Sequence, residues 1–136
     1  GFKISATDLE EVLQNTPALK KNLLRFSQVL AMQATQIAAC NRVHEVDKRL
    51  ARWLLMSQDR VGGNRVSLTQ ETLANMLGTR RASVTVAAGA LQKMGLITYR
   101  RGDVKIDNRQ GLEEASCECY ETMKRQAEKW KREGAS

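Results

Sequence analysis

Thr69-Gln-Glu-Thr-Leu-Ala-Asn-Met-Leu-Gly78, followed by Thr79-Arg-Arg-Ala-Ser-Val-Thr-Val-Ala-Ala-Gly-Ala-Leu-Gln-Lys-Met-Gly95, reads as two helices punctuated by two glycines. Thr69 is a good N-cap, and Glu71 falls in the first turn, where the helix dipole favours a negative charge. Gly78 supplies the left-handed residue that closes the helix at Leu77. A second helix, Arg80 to Met94, ends on Gly95. Two helices joined by a Gly-containing turn are the helix-turn-helix pattern. Ile97 to Arg101 and Val104 to Ile106 then read as short strands around Gly102-Asp103, a pair suited to a tight hairpin. A helix pair followed by a basic hairpin predicts a winged helix.

On the second of these helices Val84, Ala87, Ala88 and Leu91 recur at helical spacing and form the inward stripe. The opposite face is then Arg81, Ala82, Thr85, Val86 and Gly89. Its small side chains would let a helix enter a major groove about 12 Å wide, with Arg81 able to contact guanine bidentately and Ala82 and Val86 placed on thymine methyls. Thr69, Gln70, Arg80 and Ser83 stand at helix starts, where hydroxyls, amides and backbone N–H groups meet phosphate. Arg100 and Arg101 on the hairpin would clamp phosphate from the wing. The alternative for all of these arginines is a solvated surface.

Charge supports the polyanion. The 136 residues hold 22 Lys and Arg against 15 Asp and Glu, a net charge of +7. Thr72 to Gly102 contains no acidic residue but includes Arg80, Arg81, Lys93, Arg100 and Arg101. Such a stretch presents a cationic surface to phosphate.

Upstream, Ser5-Ala-Thr-Asp8 is a capping signal for a short helix ending near Asn15. Thr16-Pro17 restarts a helix, since Pro suits the first helical position. From Pro17 to about Cys40 there is no Gly or Pro, and Leu19, Leu23, Phe26, Leu30, Gln33, Ile37 and Cys40 alternate steps of four and three. That is a coiled-coil seam with one polar position, hence a dimer interface, or else an amphipathic helix packed on its own domain. A further amphipathic helix runs from Val46 to Asp59, Gly62-Gly63-Asn64 forms a turn, and Arg65 to Leu68 is a short strand candidate. Phe2-Lys-Ile4 reads as the last strand of a preceding domain, so the chain is read as the C-terminal part of a longer protein.

Downstream, Asp107 with Gln110 caps a last helix from about Arg109 to Lys131, whose charged end is expected to fray. Cys117 and Cys119 lie on it. Cys40, His44, Cys117 and Cys119 suit zinc chemically, but residues two apart on a helix point about 200° away from each other, so no metal site is expected. Three cysteines make no secreted disulfide framework and fit a reducing cytoplasm. No run approaches the roughly 18 apolar residues of a membrane span. One histidine, no nucleophile elbow and no phosphate loop argue against an enzyme.

The run Leu68-Thr-Gln-Glu-Thr-Leu-Ala-Asn-Met-Leu-Gly-Thr-Arg-Arg-Ala-Ser-Val84, with Ala90-Leu-Gln-Lys-Met-Gly-Leu-Ile97, resembles the winged helix-turn-helix of the Crp/Fnr family of bacterial transcription regulators. Glu45-Val-Asp-Lys-Arg-Leu-Ala-Arg-Trp-Leu-Leu55 resembles the helix that follows the long dimer helix in that family. By the resemblance Gly78, Arg81, Ser83 and Val84 match the turn glycine, the base-reading arginine, the helix-start hydroxyl and the buried aliphatic. Many members carry Glu directly after that arginine and a second Arg four residues further on; here Ala82 and Val86 stand there, so the usual half-site does not carry over. The resemblance also implies a preceding sensor domain that binds a cyclic nucleotide or another effector, with no cofactor in this part.

These readings predict a mainly α chain: the end of a sensor domain and a dimerisation helix in 1–44, a winged helix-turn-helix in 45–108, and a C-terminal helix and tail in 109–136. The expected function is sequence-specific binding of double-stranded DNA as a homodimer on a palindromic operator, with RNA polymerase as a further partner. A winged helix that contacts only protein is the alternative.

Overall fold

The computed structural model describes residues 1–100 and 102–134, the side chains of the last two excepted; Arg101 lies outside the described residues. Phe2 to Ile4 form no strand within this chain, and no strand lies beside them among the described residues. Helix α1 (Ala6–Asn15) is capped by Ser5, whose hydroxyl accepts from the Asp8 amide at 3.1 Å. Helix α2 (Pro17–Val43) starts on Pro17, although the Thr16 side chain makes no cap bond, and runs one turn past the expected end. Leu19, Leu23, Phe26 and Leu30 lie 37–49% exposed along it.

The core gathers around α3 (Val46–Val61), α4 (Gln70–Leu77) and α5 (Arg81–Lys93). Leu50, Leu54 and Leu55 of α3 meet Leu73 and Leu77 of α4 and Val84, Ala88 and Leu91 of α5, all buried in one cluster. Each such Leu or Val side chain contributes about 1.5–3 kcal/mol on burial. The inward stripe of α5 is the predicted one. Thr69 caps α4 by accepting from the Thr72 amide at 3.1 Å, and Gly78 closes it with φ +58°. Strands β1 (Arg65–Ser67), β2 (Ile97–Arg100) and β3 (Asp103–Ile106) form an antiparallel sheet in the order β1-β3-β2, so the wing has a third strand beside its hairpin. Val104 and Ile106 of β3 face the core, facing Val66 and Ile97 across the sheet.

The end of α2 is seated directly on this unit. Arg49, buried in α3, donates from Nη1 to the Asn41 carbonyl at 2.7 Å and from Nη2 to the Leu77 carbonyl at 2.9 Å. It thus joins the last turn of α2 to the last turn of α4. Gly78 lies so near that a Cβ there would stand 3.5 Å from Nδ2 of Asn41.

Beyond the sheet the structure corrects the sequence reading. Asp107 does not cap the next helix; it accepts from Thr98 Oγ1 at 2.6 Å and Lys105 Nζ at 2.7 Å, and these partners hold its carboxyl below its ordinary value. Asn108 caps α6 (Arg109–Ala115) instead, accepting from the Gly111 amide at 2.9 Å. The expected single helix is two, because the chain breaks at 116–118 and restarts as α7 (Cys119–Gly134). Ser116 Oγ donates to the Glu113 carbonyl at 2.8 Å, the local bond by which serine competes with helix continuation.

Helix α7 does not fray at Lys124: it continues through Gly134 and lies along α2. Tyr120, Met123, Ala127 and Trp130 make its inner stripe, and the Trp130 ring meets Phe26 with centroids 5.6 Å apart. Arg109 ties the layers, donating to Gln58 and Asp59 of α3 and to the Tyr120 hydroxyl, with Glu113 at 3.0 Å. The break overturns the geometric objection to the thiols acting together. Cys117 now precedes the helix that Cys119 begins, and both are buried against Cys40, with Cys40 and Cys117 Sγ 3.5 Å apart. Burial pushes the Cys40 thiol up to about 12.

Candidate nucleic-acid interface

The N-terminal half of α5 projects the face the sequence predicts. Arg81, Ala82, Thr85 and Val86 are exposed, Val86 at 74%, while Ser83 and Gly89 are half-buried. Arg80 is the N-cap residue, its side chain making no cap bond, so its guanidinium remains at the surface. No carboxylate pairs with Arg80, Arg81 or Arg100 among the described residues, which leaves three cations on this side available to an anion. Arg100, at the end of β2, is exposed at the wing tip; its expected companion Arg101 lies outside the described residues.

Gln70 has a part that the sequence did not disclose. Its side-chain oxygen accepts from Thr85 Oγ1 at 3.1 Å and from Arg81 Nε at 3.4 Å, so the first residue of α4 holds the arginine of α5. Thr85 also donates back to the Arg81 carbonyl at 3.1 Å. Gln70 therefore acts on Arg81 and not on the surface alone, while Thr69 spends its hydroxyl oxygen on the α4 cap.

Thr69, Gln70, Glu71, Arg81, Tyr99 and Gly102 line a cleft of about 440 Å³ between the two helix starts and the wing. Tyr99 is the residue missed in the sequence. Its hydroxyl donates to the Leu68 carbonyl at 3.2 Å, in the loop that leads into α4, and its amide donates to Gln92 Oε1 at 2.8 Å, so the wing is pinned to α5 and to the approach to α4. Burial raises the Tyr99 pKa while the charge of Arg81, which lines the same cleft, pulls it the other way. An aromatic residue in a short basic hairpin was the available signal. Gly102, at φ +84°, turns the wing against Thr69, and its carbonyl accepts from the Leu68 amide at 2.6 Å. Helix starts, wing and Arg81 thus form one cationic surface with its principal arginine held in place. No helix among the described residues is long and apolar enough to cross a membrane.

Comparison with known proteins agrees with this geometry. Residues 48–115, half of the chain, match the Crp-like helix-turn-helix domain. A Crp/Fnr-family protein from Eubacterium rectale ATCC 33656 superposes with a TM-score of 0.56 at 29% identity, over 82% of this chain and 46% of its own. A doubly substituted CooA from Carboxydothermus hydrogenoformans gives a TM-score of 0.69 at 22% identity, over 79% and 53% of the two chains. A CRP-family transcriptional regulator from Thermus thermophilus gives 0.57 at 22% identity, over 83% and 55%. The chain spans about half the length of these solved relatives. No curated protein matches it. With the matched residues running from α3 through α6 and the exposed face of α5 at their centre, the chain belongs to the Crp/Fnr family and carries its helix-turn-helix domain.

Proposed function

We propose that the chain reads a specific sequence in double-stranded DNA as a homodimer, with α5 in the major groove. The observation that carries this reading is the held Arg81: an exposed, unpaired guanidinium fixed by Gln70 at the start of a helix whose neighbouring side chains are small. Arg81 makes the bidentate guanine contact, Ala82 and Val86 touch bases through methyl groups, and Arg80, Ser83 and Arg100 contact phosphate. Residues 45–108 act as the reading unit. The exposed Leu19, Leu23 and Leu30 support α2 as the dimer seam, with Gln33 and Ile37 further along it. A helix of 27 residues is about 40 Å long, enough to join two units that meet successive major grooves about 34 Å apart. RNA polymerase is the further partner of such a regulator, and an effector would act through the part of the relatives' length that this chain does not span.

Selection of bound sequences from a random duplex pool tests the proposal. A palindrome, bound with an affinity that falls steeply with salt, is expected. Salt-insensitive binding without sequence preference would favour the winged helix as a protein-contact module instead.

A further inference from the structure

We propose that Cys40, His44, Cys117 and Cys119 form a closed tetrahedral site for a zinc ion, which clamps the C-terminal helix to the end of the long helix. Cys40 lies in the last turn of α2 and His44, four residues on, is the residue that caps it, so the two stand at the same end of the helix. Cys117 comes from the break after α6 and Cys119 from the first turn of α7. Three separate segments thus deliver four donors to one point, all within 4.8 Å of one another.

The distances select the kind of metal centre. With Zn–S near 2.3 Å, two thiolates on one tetrahedral zinc stand about 3.8 Å apart, and a thiolate and an imidazole nitrogen slightly less. Cys40 and Cys117 Sγ are 3.5 Å apart, and Cys119 Sγ is 3.7 Å from His44 Nδ1. A four-iron cluster places each thiolate on a different iron and would need the donors spread more widely. Four protein donors fill a tetrahedron and leave no open position, so the site is structural and not catalytic.

The surroundings are those of a metal site as well. His44 turns Nδ1 toward the thiols because its Nε2 is bonded to Glu118 Oε1 at 3.1 Å, the carboxylate–imidazole arrangement that orients a metal-bound histidine. Gln36 Nε2 donates to Cys119 Sγ at 3.1 Å, a bond suited to a thiolate. Arg52 is 1% exposed, and its guanidinium finds only the sulfurs of Met56 and Met123, at 3.6 and 3.8 Å, with Nε unpaired among the described residues. A buried cation with no counter-charge is costly. When zinc binds, three thiols release three protons to solvent and neutral His44 gives a lone pair. The centre then carries one net negative charge.

The chain, purified with its thiols reduced, is loaded with zinc salt and its metal measured by mass spectrometry; one zinc per chain is expected. Cobalt(II) in its place should give the intense visible bands of a tetrahedral thiolate site. Cys119→Ser should weaken zinc binding by more than tenfold, and Glu118→Gln, which touches no metal, by about ten- to a hundredfold. If the cysteine variants do not fold, a chelator added to the unaltered chain should lower its Tm, and zinc should restore it. None of these readouts depends on DNA. Folded, reduced protein that takes up neither zinc nor cobalt would overturn the proposal, as would a stable Cys40–Cys117 disulfide or bound iron with inorganic sulfide.

Discussion

Truncating Gln70 to Ala, alone and together with Arg81→Ala, separates a residue that positions the reading arginine from one that merely touches DNA. A bidentate arginine–guanine contact is worth about 1–3 kcal/mol, and a dimer makes it twice. Arg81→Ala should therefore cost about 2–6 kcal/mol per dimer, from roughly 30-fold to four orders of magnitude in Kd. The bonds Gln70 makes to Thr85 and Arg81, at 3.1 and 3.4 Å, are exposed and the second is long. Exposed bonds of this kind are worth about 0.5–1.5 kcal/mol each, so Gln70→Ala should cost about 1 kcal/mol per subunit, by loosening Arg81. In the Arg81→Ala background that loss should vanish, giving a coupling energy of about 1 kcal/mol per subunit. Fluorescence anisotropy on the selected palindrome and on single-base variants would measure all four corners. If Gln70→Ala costs the same whether or not Arg81 is present, Gln70 is an independent phosphate contact and the positioning argument fails.

Leu30→Asp places a charge in the exposed apolar line of α2, and we expect a monomer by sedimentation at micromolar concentration that is still helical, with DNA affinity down at least tenfold; a dimer would show the seam lies elsewhere. Gly111→Ala would set a Cβ 2.6 Å from Leu96 Cδ2 and 2.9 Å from Asn108 Nδ2, disturbing the cap of α6. Overpacking and a weakened cap outweigh the gain in helix propensity, so stability should fall by about 1–3 kcal/mol in denaturant melts, and a rise would contradict the packing. Tyr99 and Tyr120, the two tyrosines, are both held above their ordinary value, chiefly by burial. The folded chain therefore binds these protons more tightly than the unfolded, so the stability they contribute is intact below about pH 10 and is lost as pH rises past it. Ultraviolet titration should show native ionisation lagging that of the denatured chain; coincident curves would refute it.

What the sequence disclosed were the features written locally. Thr69, Gly78 and Gly95 act on their own helix ends, and the stripe from Val84 to Leu91 repeats within one element, so α4, α5 and the wing could be read to within a residue or two. The break at 116–118 contains neither Gly nor Pro; Ser116 bonds locally to the Glu113 carbonyl, and Cys117 there meets Cys40 on α2, seventy-seven residues away, a contact not written in the local sequence. The stripe Tyr120-Met123-Ala127-Trp130 was present but diluted by charges, and the spacing of its partner Phe26 suits a dimer seam as well as packing within the domain. For the reading surface, Arg81 was visible as a residue type at a helix start. Gln70 as its holder was not, since a bond from α4 to α5 depends on the angle between two helices.

The bond pattern of Arg49 bears on how a signal could travel. Its two donated bonds bolt the last turn of α2 to the last turn of α4, at the very turn from which α5 departs. The linker between the long helix and the reading unit is thus bypassed by a bracket, and slack is removed from the joint. In the proposed dimer on DNA, a twist of α2 about its own axis would be delivered to α5 as to a lever arm: a small rotation at the dimer axis would become a larger sweep at the DNA. Regulation in such a machine needs no loosening of the winged helix itself, only a change in the angle at which two rigid arms are held.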